Sequence, residues 1–154
     1  MRTRIAVTGA ALLLVLAGCG SGGDHQSDAA GTTPQPADIA AAARTIDVTA
    51  GPGFKFDPGT TSVKAGETVA FKVTNPDQIV HEFEVGDTAF QEHHAEEMKD
   101  MGGMQMGDDA TGFSVQPGET KTIAFTFPTA GTTFYGCHEA GHYEGGMKGE
   151  IKVT

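Results

Sequence analysis

The stretch Cys137-His138-Glu139-Ala140-Gly141-His142-Tyr143-Glu144-Gly145-Gly146-Met147 sets a thiol, an imidazole and a thioether at the spacing C-x4-H-x4-M. Thr132-Thr133-Phe134-Tyr135 precedes it and Ile151-Lys152-Val153 follows it, so it reads as a loop joining two strands. Gly141, Gly145 and Gly146 let such a loop curl until its side chains converge on one point.

Outward from that loop the same period-two pattern recurs. Ile46 and Val48 alternate with Asp47 and Thr49; Val69, Phe71 and Val73 with Ala70, Lys72 and Thr74; Ile123, Phe125 and Phe127 with Ala124 and Thr126. Alternation of this kind marks half-buried strands. Turn signals punctuate it at Asp57-Pro58-Gly59, Lys64-Ala65-Gly66-Glu67, Asn75-Pro76-Asp77, Gln116-Pro117-Gly118-Glu119 and Pro128-Thr129-Ala130-Gly131. The pattern predicts an all-β fold, an antiparallel β-sandwich over residues 45–154. Residues 86–112 interrupt it as a long insertion, with a helix expected near Thr88 to Met101. His81 alternates with Phe83 and Val85 and so should point inward.

The chain's beginning reads differently. Arg2 and Arg4 precede an apolar run from Ile5 to Leu16, too short to cross a bilayer and suited to a signal peptide. Leu16-Ala17-Gly18-Cys19 resembles a bacterial lipobox, in which the cysteine becomes the first mature residue and carries a lipid. Residues 1–18 are then a signal peptide, and Cys19 anchors the protein to a membrane outside the cytoplasm. Residues 19–44, rich in Gly, Ser, Thr, Pro and Ala, are expected to form a flexible tether. The whole chain of 154 residues carries 20 acids and 10 bases; without residues 1–18 the balance is 20 acids to 8 bases. That acidity argues against a nucleic-acid partner.

With Cys19 lipidated, Cys137 has no cysteine to pair with, and an unpaired thiol in an exported protein calls for burial, intermolecular pairing or a metal. One thiolate (Cys137), two imidazoles (His81, His142) and one thioether (Met147) make the His2Cys set with a weak axial Met used by blue-copper electron-transfer sites. Zinc also accepts Cys and His, but a neutral Met is a poor zinc ligand. At these residues the chain resembles the cupredoxins, the blue copper proteins that include plastocyanin, azurin and rusticyanin. The resemblance spans Thr45 to Thr154. It includes Phe54-Lys55-Phe56-Asp57-Pro58, Lys64-Ala65-Gly66-Glu67-Thr68-Val69 and His81-Glu82-Phe83 as well as the ligand loop, whose spacing looks like the rusticyanin one. It implies a Greek-key sandwich with one copper ion at one end, held by His81, Cys137, His142 and Met147. Glu82 stands where the family often has Asn.

His138 follows the thiolate directly. In copper nitrite reductases such a Cys-His pair wires the blue site to a second copper, but this chain lacks the second domain or His-x-His pairs of those enzymes. His138 is therefore expected at the surface near the site. No second metal site is evident among His25, His93, His94 and His138, which argues against an enzyme. The insertion holds seven acids, one base and four of the five methionines that remain after residue 18. Phe90, His94, Met98 and Met101 share a helical face, and Gly102-Gly103 should end the helix. Two readings stand. The insertion is a solvated helix packed on the sandwich, or His93, His94, Met98, Met101, Met104 and Met106 capture additional Cu(I) through soft ligands in an acidic field. Two roles follow for the whole: a lipid-anchored carrier of single electrons for a redox partner, or a protein that binds or sequesters copper in copper tolerance.

Overall fold

The computed structural model describes residues 31–102, 104 and 107–154. Residues 1–18, read as a signal peptide, and Cys19, His25 and Met106 lie outside the described residues. Among the described residues, ten strands form two five-stranded sheets. In chain order they are β1 (Gln35–Ala37), β2 (Arg44–Gly51), β3 (Lys55–Asp57), β4 (Thr60–Val63), β5 (Thr68–Thr74), β6 (His81–Gly86), β7 (Gly112–Val115), β8 (Thr120–Thr126), β9 (Gly131–Gly136) and β10 (Lys148–Val153), with helix α1 (Thr88–Asp100) between β6 and β7. One sheet runs β1-β8-β5-β2-β3 and the other β4-β10-β9-β6-β7.

The sandwich expected from the alternation is present. Most ladders are antiparallel, but β2 with β5 and β4 with β10 are parallel. The reason is topological: the chain leaves the first sheet after β3, contributes β4 to the second sheet, and returns alongside β2. Ile46, Val48, Val69, Phe71, Val73, Phe125 and Phe127 fill the space between the sheets with Phe83, Tyr135 and Ile151. Phe71 is the hub of this core. Its ring meets those of Phe83, Phe125, Phe127 and Tyr135 at centroid distances of 5.6 to 6.4 Å.

The folded unit starts earlier than the sequence suggests. Residues 31–44, expected to belong to a flexible tether, are tied down. β1 pairs with β8 in the register Gln35↔Thr126 to Ala37↔Ala124. The Thr32 amide donates to the Thr132 carbonyl, and the Thr33 hydroxyl donates to Asp87. The turn Ile39–Ala41 then lies against β5 and β8. The buried Ala70 and Ala124, paired across β5 and β8, lie on the outer side of these otherwise alternating strands. Small residues there leave room for the covering segment. No periodicity announces β1, because a three-residue edge strand with Pro36 inside it needs only the hydrogen bonds that β8 offers.

α1 lies where the helix was expected. The Asp87 carboxylate accepts the Phe90 amide as its N-cap. Its buried residues are Gln91, His94 and Met98, so the inward face is rotated slightly from the Phe90–Met101 stripe read in the sequence. Two glycines permit the close approach. A Cβ at Gly86 would come within 2.2 Å of the Phe90 ring, and one at Gly136 within 2.5 Å of Gln91. The helix covers β6 and β9 on the side away from the core. That is why all six residues of β6 are buried, Glu82 and Glu84 included.

Candidate metal centre

His81 opens β6, Cys137 directly follows β9, and His142 and Met147 lie in the loop before β10. Backbone hydrogen bonds set the loop's shape. The Cys137 amide donates to the Met147 carbonyl at 3.1 Å, and the Met147 amide to the His142 carbonyl at 2.9 Å. Gly141 and Gly146 take the left-handed region, with φ of 81° and 98°, which is where the curl anticipated from the glycines arises.

The side chains converge. Cys137 Sγ lies 3.2 Å from His142 Nδ1 and 4.0 Å from His81 Nδ1. Among the described residues, His81, Cys137 and His142 are the set of three whose ligand atoms all fall within 4.8 Å of one another, and all are buried. On the far side of its ring, His81 Nε2 faces Asp77 Oδ2 at 3.4 Å. A carboxylate there favours the proton on Nε2 and leaves Nδ1 as the donor atom toward the thiol. Burial lowers the pKa of both His81 and His142, so both imidazoles favour their neutral, ligating form. Burial also pushes the Cys137 thiol up to about 12, although the Glu82 amide donates to Sγ at 3.2 Å. A thiolate at this position needs a compensating cation. A soft sulfur with two imidazole nitrogens suits copper.

Residues 42–154 match the sequence pattern of the copper binding proteins, plastocyanin/azurin family. The chain belongs to this family. It is a cupredoxin, and copper is its cofactor. It is 39% identical over 152 residues to the copper-resistant cuproprotein CopI of Rubrivivax gelatinosus, covering 94% of this chain and 92% of the relative. It is 32% identical over 147 residues to the copper-resistant cuproprotein CopI of Pseudomonas aeruginosa, covering 77% and 81%. Among solved structures, the reduced auracyanin of Roseiflexus castenholzii superposes with a TM-score of 0.62 at 27% identity, over 73% of this chain and 98% of that one.

Phe54 closes the copper site of this cupredoxin from outside. Its ring lies 4.4 Å from that of His142, tilted by 32°, and its backbone takes φ 55°, an unfavourable region for a residue with a Cβ. Met147 is fully buried in the same apolar cluster as Cys137.

The structure corrects the expectation for His138. It is buried, 6% exposed, because α1 covers it. Its ring stacks on Tyr143 at 4.2 Å and its Nε2 sits 2.7 Å from Gln91 Oε1. Among the described residues, the methionines and histidines of the insertion are not gathered into one place. His94 and Met98 face the sandwich, the His93 side chain is 70% exposed, Met101 is half-buried and Met104 is exposed.

Sequence reasoning missed the polar layer beneath the helix. Glu82, Glu84, Gln91, His94 and His138 are all buried there. Burial pushes the Glu84 carboxyl up to about 8, against the pull of His94 and a hydrogen bond from Thr111. For His94, burial favours the neutral ring, but the carboxylates of Glu82, Glu84 and Glu97 outweigh it and raise its pKa. Both groups hold more protons folded than unfolded in the neutral range, so stability falls as pH rises. The Glu84 share is fully present at the ordinary carboxyl pKa and below, and is lost as pH climbs to about 8. Glu84→Gln is expected to remove about 2–4 kcal/mol of that decline. Urea unfolding at pH 5 and pH 8 checks it; an unchanged pH dependence in the variant contradicts it.

Proposed function

We propose that this cupredoxin handles copper outside the cytoplasm and protects against its excess. It would hold one ion through His81 Nδ1, Cys137 Sγ and His142 Nδ1, with Met147 supplying a thioether. Support comes from the 39% identity to a copper-resistant cuproprotein across nearly the full length of both chains. The chain's own residues suit capture. The imidazoles are neutral, the thiol gives up its proton as the cation enters, and Asp77 and the Glu82 amide orient the donors. A lipid on Cys19 would tether the domain to a membrane. The exposed His93 and Met104 are positioned to meet Cu(I) in the surrounding medium.

The second reading is a carrier of single electrons. Copper, when bound, supplies a one-electron couple, and a buried donor set pinned by backbone hydrogen bonds changes little between oxidation states. Growth of a deletion strain distinguishes the two. Copper sensitivity with normal respiration, restored by the wild-type gene, is the expected result. Loss of a respiratory activity at low copper, with no copper sensitivity, would replace copper handling by electron transfer.

A further inference from the structure

Beneath α1, three buried ligand-type atoms have no hydrogen-bond partner: Glu82 Oε1, His94 Nε2 and His138 Nδ1. The other Glu82 oxygen, Oε2, accepts the His138 amide at 3.1 Å. We propose that Glu82, His94 and His138 form a second cation site, filled by copper, beside the first.

The geometry of each side chain supports this. Gln91 Nε2 donates to the carbonyls of Glu84 and Phe134, at 2.9 and 3.4 Å. Its Oε1 is therefore committed as an acceptor facing His138 Nε2 at 2.7 Å. That places the His138 proton on Nε2 and leaves a bare lone pair on buried Nδ1. An outer partner that fixes the tautomer in this way is the usual companion of a ligating histidine. His94 has no such tautomer-fixing hydrogen bond: its Nδ1 lies 3.8 Å from Glu97 Oε2 and its Nε2 points inward to Glu82 Oε2 at 3.7 Å.

The 3.7 Å separation is too long for a good hydrogen bond. It is close to the ~3.3 Å between two ligands on one tetrahedral ion with bonds of ~2 Å. The His94 and His138 rings meet edge to face with centroids 4.9 Å apart. This set is more open than the first: its ligand atoms do not all lie within 4.8 Å of one another, so closing on an ion requires the side chains to rotate toward a common point. Unpaired buried polar atoms are costly, and an ion would satisfy all three together.

Access and metal preference follow from the surroundings. A cleft of about 410 Å³ reaches His138 from solvent between α1 and the ligand loop, and Met98 lines it. Two imidazoles and a carboxylate suit Cu(II), and the nearby thioether adds affinity for Cu(I). The acidic insertion concentrates cations at the entrance.

The test uses the protein with one copper already in the first site, whose thiolate absorption reports that site separately. Titration with Cu(II) is followed by equilibrium dialysis and electron paramagnetic resonance. A second equivalent is expected, with a nitrogen-coordinated signal free of thiolate character. His94→Phe, which keeps an aromatic ring beside Phe90, should weaken the second equivalent at least ~10-fold and leave the first-site absorption unchanged. His94→Gln serves if that variant does not fold. The proposal fails if the wild type stops at one equivalent, as a layer bridged only by water would. It also fails if the second ion persists in the His94 variants, or is lost only when Met101 and Met104 are replaced.

Discussion

Cys137→Ser is expected to abolish the thiolate-to-copper absorption and to weaken copper binding by more than the ~10–100-fold that loss of a ligand's supporting partner costs. The thiolate is the strongest donor of the set, and it stands 3.2 Å from His142 Nδ1 and 4.0 Å from His81 Nδ1. A serine hydroxyl can still accept the Glu82 amide, so the loop keeps its anchor and the fold should survive. Far-ultraviolet circular dichroism separates the two effects. A folded Cys137→Ser protein that retains wild-type copper affinity contradicts the ligand assignment.

Phe71→Ala is expected to carry the largest stability cost. The side chain is fully buried and touches four other aromatic rings. Removing such a ring costs ~3–5 kcal/mol, through lost burial and the cavity left behind. Total stabilities of ~5–15 kcal/mol leave little margin. Urea titration should show a large fall in midpoint with little change in slope. A midpoint within experimental error of wild type would mean that the two sheets do not rely on this hub. Phe71 meets Phe83 of β6 and Tyr135 of β9, the strands that hold His81 and lead to Cys137. The variant should still bind copper when folded, because Cys137, His142 and Met147 are fixed by backbone bonds within the loop and His81 by the pairing of β6 with β7, rather than by the hub.

The cluster of His81, Cys137 and His142 was legible in the sequence because its signals are local. The C-x4-H-x4-M spacing sits on one loop, and His81 belongs to a strand whose alternation turns it inward. The sheets were legible for the same reason: Val69-Phe71-Val73 and Phe125-Phe127 declare their faces. What could not be read depends on tertiary cover. Glu82 and Glu84 fall on the outward face of β6 and would be solvated without α1. His138 alternates away from Cys137, as expected, but meets a helix instead of solvent. Gln91 looks like an ordinary helix-surface residue until Gly136 lets the helix settle over β9. β1 left no signal because β8 supplies its hydrogen bonds and its own side chains contribute little to the core. The helix itself was visible, but its contact face was not, since acids and histidines obscure its apolar stripe.

The central claim is that His81, Cys137 and His142 hold copper through a buried thiolate. Optical absorption of the wild-type protein loaded with one equivalent of Cu(II) tests it most directly. An intense visible thiolate-to-copper band that saturates at one equivalent is the predicted result. Stoichiometric Cu(II) binding with only weak ligand-field absorption would contradict it, because the metal would then lie away from Cys137.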